Sequence, residues 1–236
     1  MRIIKKLILA STLFLSFTAI VNSQESGKVS VSQEVQVLSK GTKNIFRSDI
    51  YYNRENDVII VHHTYPSDFV KISNKLGEEK IYFPKTNTVS IQQDATFSSA
   101  NDLLYYFVNN KTSDLGLARE GFKLISTERE EGMLVTIWQA PPSLKVVNLV
   151  KMVFRDMLPV YAEYTDPKGK TMKKIYYSKY SDQSSFSLPM RITEISYEGK
   201  TDSVIRLSLF SDVRTSGFPD NNYFDFKIPA DAKTAK

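Results

Sequence analysis

Short runs of apolar, β-branched and aromatic residues recur along this chain, each broken by Gly, Asn, Asp or Pro. Runs of this length and composition, closed by turn formers, read as β-strands. Strands are predicted over 29–38, 44–53, 57–65, 68–73, 79–83 and 88–92. A second series is predicted over 122–127, 133–139, 145–154, 158–164, 170–180, 189–197, 203–211 and 223–228. Short polar turns join neighbours, as at 84–87, 128–132 and 166–169, which predicts antiparallel pairing because parallel strands need long crossovers. In Pro84-Lys85-Thr86-Asn87, Pro presets φ and Asn tolerates the left-handed conformation.

One stretch breaks the alternation. Leu103, Leu104, Phe107 and Val108 fall on a single helical stripe, and Ser98-Ser99 precede them as capping residues. A helix is therefore predicted over 100–110, closed by Asn109-Asn110, with a second helical turn over 113–117.

Several strands carry large apolar groups at both parities. Over 133–140, Met133, Val135 and Ile137 share one face and Leu134, Trp138 and Ala140 the other. Over 145–154, Val146, Val150, Met152 and Phe154 oppose Val147, Leu149 and Val153. A sheet wetted on one side alternates cleanly. Here both faces need cover, which a curled sheet with a helix packed into it supplies. Aromatics make up 12% of the residues, 14 Phe and 13 Tyr among them. Such a composition suits either a wide apolar interior with tyrosine hydroxyls at its rim or a well-filled β core.

Residues 1–23 are excluded from this fold reasoning. Arg2, Lys5 and Lys6 precede an apolar run over 7–21, and small residues follow, the pattern of a cleavable secretory signal. The mature chain is expected to span 24–236 as one domain, exported to the periplasm. With no cysteine in the chain there is no acylated Cys anchor, disulfide, thiolate metal site or cysteine nucleophile. Loss of the signal lowers Lys+Arg from 31 to 28 against 26 acidic residues, a net charge of about +2. No clustered basic face argues for nucleic acid, and Lys173-Lys174 reads as solvated.

Catalytic and metal-binding patterns are equally sparse. His62 and His63 are the two histidines, and adjacent strand residues point to opposite faces, so they do not converge on one ion. There is no GxSxG elbow, no GxGxxG, no P-loop and no EF-hand loop. Glu128, Glu130 and Glu131 sit in a predicted turn, where solvation accounts for them. The expectation is a binder with no catalytic residues, no metal and no cofactor.

The order of weak motifs from about Gly41 onward resembles the LolA-like outer-membrane lipoprotein carriers, also called lipoprotein-sorting proteins. Residues 50–53 followed by Arg54 resemble the family's aromatic strand and Arg-Pro turn. Tyr65-Pro66-Ser67 and Lys80-Ile81-Tyr82-Phe83-Pro84 are similar to its next strands, and 100–110, Asp114-Leu115 and Gly121-Phe122 to its helical lid. Leu158-Pro159, Asp166-Pro167-Lys168-Gly169-Lys170 and the closing Phe224-Asp225-Phe226-Lys227-Ile228-Pro229 complete the series.

The resemblance implies a mainly β (α+β) fold, a single curved antiparallel sheet forming a half-open barrel with a short helical lid over its concave face. It implies a periplasmic carrier that shelters acyl chains of lipoproteins or related lipids for delivery to the outer membrane. Partners would be the acylated cargo and transient inner- and outer-membrane proteins, with the carrier itself a monomer. Lipid-cavity candidates are Ile50, Tyr52, Ile60, Leu103, Phe107, Leu134, Trp138, Val150, Met152 and Phe154. Arg54 is either the lid-closing residue or a solvated hairpin arginine, since Glu55 stands where the family has proline. Residues 24–40 alternate like a strand where the family has an amphipathic helix, so one lid helix is expected to be missing. A lipid- or lipoprotein-sensing adaptor on the same scaffold, or an envelope β protein without a ligand, are the alternatives.

Overall fold

The structure is a computed structural model describing residues 27–198 and 202–235. The expected signal segment lies outside the described residues. The first meander comprises β1 (Lys28–Ser39), β2 (Thr42–Asn53), β3 (Val58–Tyr65), β4 (Phe69–Ser73), β5 (Glu78–Phe83) and β6 (Thr88–Gln93). After the helix α1 (Leu103–Val108), a second meander runs through β7 (Lys123–Glu130), β8 (Met133–Gln139), β9 (Leu149–Arg155) and β10 (Leu158–Thr165). It continues through β11 (Thr171–Asp182), β12 (Ser187–Glu198) and β13 (Asp202–Arg214), and the short β14 (Lys233–Thr234) follows.

All these strands form one curved, unclosed sheet in the order β14-β6-β5-β4-β3-β2-β1-β13-β12-β11-β10-β9-β8-β7. The chain steps outward from β1 to β6, crosses the concave face through α1, and restarts at the far edge with β7. It then steps back until β13 pairs with β1 over Ser30–Ser39. Ladders are antiparallel except at β14, which lies parallel to β6. Two-residue hairpin loops set the register where both residues take positive φ, as at Lys40-Gly41 (49° and 76°) and Glu131-Gly132 (50° and 81°). The fold is thus the half-open barrel with a helical lid that the sequence led us to expect, and β1 is a strand where a lid helix was expected to be missing.

The inner face packs around α1, with Val29, Val31, Ile50, Tyr52, Ile59 and Val61 from the first meander and Trp138, Val150, Met152 and Phe154 from the second. The outer face of β2–β4 carries its own cluster, built on Tyr51, Ile60 and Val70. Phe218, Tyr223, Phe224 and Phe226 from the C-terminal segment cover it. This explains the apolar residues at both parities: helix on one side, aromatic strap on the other.

Four expected elements differ. The helix over 100–110 divides into a 3₁₀ turn, Ser99–Asn101, and α1, because the Asp102 carboxylate accepts from the Leu104 amide (2.8 Å) and starts a new helix. The turn over 113–117 is not helical, since Leu115 and Gly116 both take positive φ (45° and 90°). The strand over 223–228 is absent. There the Phe226 amide closes a turn onto the Tyr223 carbonyl (3.0 Å), so the aromatics converge on one surface instead of alternating. Similarly, 145–148 is loop and β9 begins at Leu149.

Candidate functional site

Helix α1 is short, and tertiary contacts rather than intrinsic propensity hold it. Five of its six residues are buried, and Phe107 and Val108 are 0% exposed. Phe107 meets the rings of Tyr177 and Tyr180 on β11 at 6.1 and 6.2 Å between centroids. Polar bonds pin both ends. Asn109 Nδ2 donates to the Tyr52 hydroxyl (2.7 Å), which donates to Asp57 Oδ1 (2.8 Å). Asp57 Oδ2 pairs with Lys75 (2.8 Å), and the Ser99 hydroxyl donates to the Asp57 carbonyl. Burial would raise the Asp57 carboxyl, but bonds from Lys75 and Tyr52, with the Lys75 and Lys111 charges, hold it below the usual range. On the other flank, Asn110 Nδ2 donates to the Ser185 carbonyl (2.8 Å). Asn109→Ala removes its side-chain bonds to the Tyr52 hydroxyl (2.7 Å) and the Tyr105 carbonyl (2.8 Å), at about 0.5–1.5 kcal/mol each, read as a lower urea unfolding midpoint. An unchanged midpoint would mean that the latch does not hold the helix.

Among the described residues, two of the cavities on this face lie beside the helix and the loop that follows it. Beneath the 110–114 loop, one of about 630 Å³ is lined by Leu124, Leu134, Trp138, Phe154, Met157 and Leu158, with Thr127, Thr136, Asn110, Thr112, Ser113 and Asp114 around them. Trp138 Nε1 is satisfied by the Thr136 hydroxyl (3.0 Å), so the ring lies in the wall with no unmet polar group. Near the helix start, a second cavity of about 390 Å³ mixes Ile50, Val61, Leu104, Ile175, Leu188, Ile192 and Phe210 with Gln33, His63, Lys71, Asp102, Tyr177, Glu194, Arg206 and Ser208. Both volumes fall within the ~300–1,000 Å³ typical of small-molecule sites.

Of the residues expected from the sequence, Ile50, Tyr52, Phe107, Trp138, Val150, Met152 and Phe154 join one inner cluster, with Leu103 and Leu134 packed against it. They divide further by place. Leu134, Trp138 and Phe154 line the larger cavity, Ile50 and Leu103 the smaller, and Tyr52 belongs to the latch. Phe107, Val150 and Met152 are filled core. Ile60 is not brought together with them. It lies on the outer face against the C-terminal strap, one residue out of phase with Ile59 and Val61. Among the described residues, no hydrogen bond or ion pair joins the Arg54 side chain to α1. Arg54 holds Gly27 through its amide (2.7 Å), and Tyr52, Asp57 and Asn109 make the helix latch.

Sequence reasoning missed Leu124, Met157 and Leu158. Met157 is 67% exposed and takes φ of +65° in the two-residue loop after β9, a conformation that normally selects Gly or Asn. An apolar side chain held there at the cavity mouth was the available signal. Leu124 lies on the edge strand β7 beside Ile125, both at least half exposed.

His63 and His62 face opposite ways, as their adjacency requires. His62 stacks on Tyr223 (4.3 Å) on the outer face, and His63 stacks on Phe69 (4.1 Å) inside. Burial, reinforced by the Lys71 and His62 charges, pulls the His63 imidazole down to about 4. Its unfolded value is near 6.5, so the unfolded chain takes up this proton first as pH falls. Stability present at neutral pH is therefore lost between about pH 6.5 and 4. His63→Gln is expected to flatten that part of the urea-midpoint profile, and an identical slope in the variant would refute the assignment.

The fold is shared with solved structures of low sequence identity. A LolA superfamily protein from Nitrosomonas europaea superposes with a TM-score of 0.54 at 13% identity, covering 83% of this chain and 89% of that one. A domain assigned to outer-membrane lipoprotein sorting from Vibrio parahaemolyticus gives 0.57 at 13%, covering 86% and 91%. A DUF1329 family protein from Desulfovibrio piger gives 0.56 at 13%, covering 85% and 90%. The architecture is therefore LolA-like. No family model matches the sequence, and no curated protein matches it.

Proposed function

We propose that this protein is an envelope carrier that shelters the acyl chains of lipoproteins or related lipids for delivery to the outer membrane. The observation that carries the reading is the apolar cavity beneath the 110–114 loop, open in a folded chain and walled by Leu134, Trp138 and Phe154. Each buried CH₂ is worth about 0.8 kcal/mol, so an acyl chain leaving a membrane needs such a wall to cross water. The LolA-like fold of the neighbours supports the same reading. Loading and unloading require the lid to move, and the Asn109–Tyr52–Asp57–Lys75 chain is its closure. Leu124 and Met157, exposed at the cavity mouth, are where cargo enters. The protein acts as a periplasmic monomer that meets membrane partners transiently, and as a binder rather than an enzyme.

Native mass spectrometry of protein purified from the envelope without detergent tests this. The expected spectrum carries a heterogeneous added mass that dissociates as acylated species. A single apo mass with no uptake of added acyl lipid or lipopeptide would contradict the proposal.

A further inference from the structure

The smaller cavity differs in kind from the acyl cavity. Its charges sort by wall. On β12 and β13, Glu194 pairs with Lys173 (3.6 Å) and stands opposite Arg206 in the ladder. One carboxylate between two cations leaves a positive excess, and Arg206 is exposed at the rim with no ion pair among the described residues. On the opposite wall, Lys71 pairs with Glu79 (3.5 Å) and its charge also acts on Asp102, so one cation serves two carboxyl groups. A single protein donor, the Leu104 amide, reaches the Asp102 carboxylate among the described residues, and burial holds that carboxyl above its usual range. His63 adds no charge near neutral pH.

Two further groups point to a ligand. Tyr177 and Ser208 line this cavity at 5% and 8% exposure, and neither hydroxyl has a hydrogen-bond partner among the described residues. Both keep a path to the cavity, since no described side-chain polar atom is sealed without a partner. An apolar occupant would strip water from the Tyr177 and Ser208 hydroxyls and from Asp102 without replacing its bonds. A purely anionic one would face Asp102, and a purely cationic one Arg206.

We infer that this chamber binds the head of a zwitterionic amphiphile, an aminoalkyl phosphate, with its ammonium on Asp102 and its phosphate on Arg206. Tyr177 and Ser208 supply neutral hydrogen bonds between the charges, and Leu188, Ile192 and Phe210 accept the adjoining apolar segment. The inference rests on the carrier reading for the origin of the tail. A hydrogen-bonding primary ammonium fits a carboxylate better than a quaternary one, so ethanolamine heads outrank choline heads.

Isothermal titration of the purified protein with lysophosphatidylethanolamine, lysophosphatidylcholine, lysophosphatidylglycerol and free phosphoethanolamine, the lysolipids sharing one chain, tests it. The ethanolamine lysolipid is expected to bind about tenfold more tightly than the glycerol one, a difference of about 1.4 kcal/mol. Asp102→Asn keeps a good helix cap, and Arg206→Gln alters an exposed strand position. Each variant should melt near wild type and reduce the preference to about threefold or less. Equal binding of the three lysolipids, or a preference unchanged in either variant, overturns the inference and leaves the carrier reading standing. Failure of every probe to bind overturns both. Free phosphoethanolamine binding as tightly as its lysolipid upholds the chamber and identifies a soluble ligand as its source.

Discussion

Phe107→Ala lowers stability by about 3–5 kcal/mol, read as a shift in the urea midpoint at constant m-value. Phe107 is fully buried, and its ring is the contact between the lid and Tyr177 and Tyr180 on β11. Truncation leaves a cavity at the centre of the inner cluster, and a six-residue helix has too little intrinsic stability to stay docked without its anchor. The same burial makes a charge at this position a fold-breaking change, so Phe107 reports on lid docking and not on cargo. A midpoint near wild type would show that the lid is not part of the cooperative core.

Leu134→Lys is expected to weaken acyl binding by at least about tenfold while the sheet persists. Leu134 is partly buried, packs against the inner cluster and lines the larger cavity beside Trp138 and Phe154. A lysine there can extend toward solvent at the mouth, so the fold tolerates it. An acyl chain would lose an apolar contact worth about 1.5–3 kcal/mol and meet a charge, so affinity should fall by at least about tenfold. Retention of wild-type affinity would place the chain elsewhere.

Most of the sheet was legible because strand signals are local. Turn formers bracket each run, and thirteen of the expected strands correspond to β1–β13 within a few residues. What failed depended on tertiary contacts. Alternating Tyr223, Phe224 and Phe226 have strand periodicity, yet the uncovered outer face with Tyr51, Ile60 and Val70 draws all three to one side. Ser98-Ser99 read as the cap in the sequence, and the bond that Asp102 accepts from Leu104 moves the start of α1 past them. Ile60 looks identical to Ile59 by type, and only phase against the lid separates them. The LolA-like fold followed from the order of weak motifs, whereas the latch combines residues up to 57 positions apart that no local pattern links.

Trp138, the sole tryptophan, stands in the wall of the proposed acyl cavity and makes the central claim directly measurable. Titration with a lipopeptide whose acyl chain carries bromine at mid-chain should quench Trp138 fluorescence saturably at one cargo per protein, and Leu134→Lys should shift the quenching to at least about tenfold higher cargo concentration. Cargo binding without quenching, or quenching unaffected by Leu134→Lys, would contradict the account.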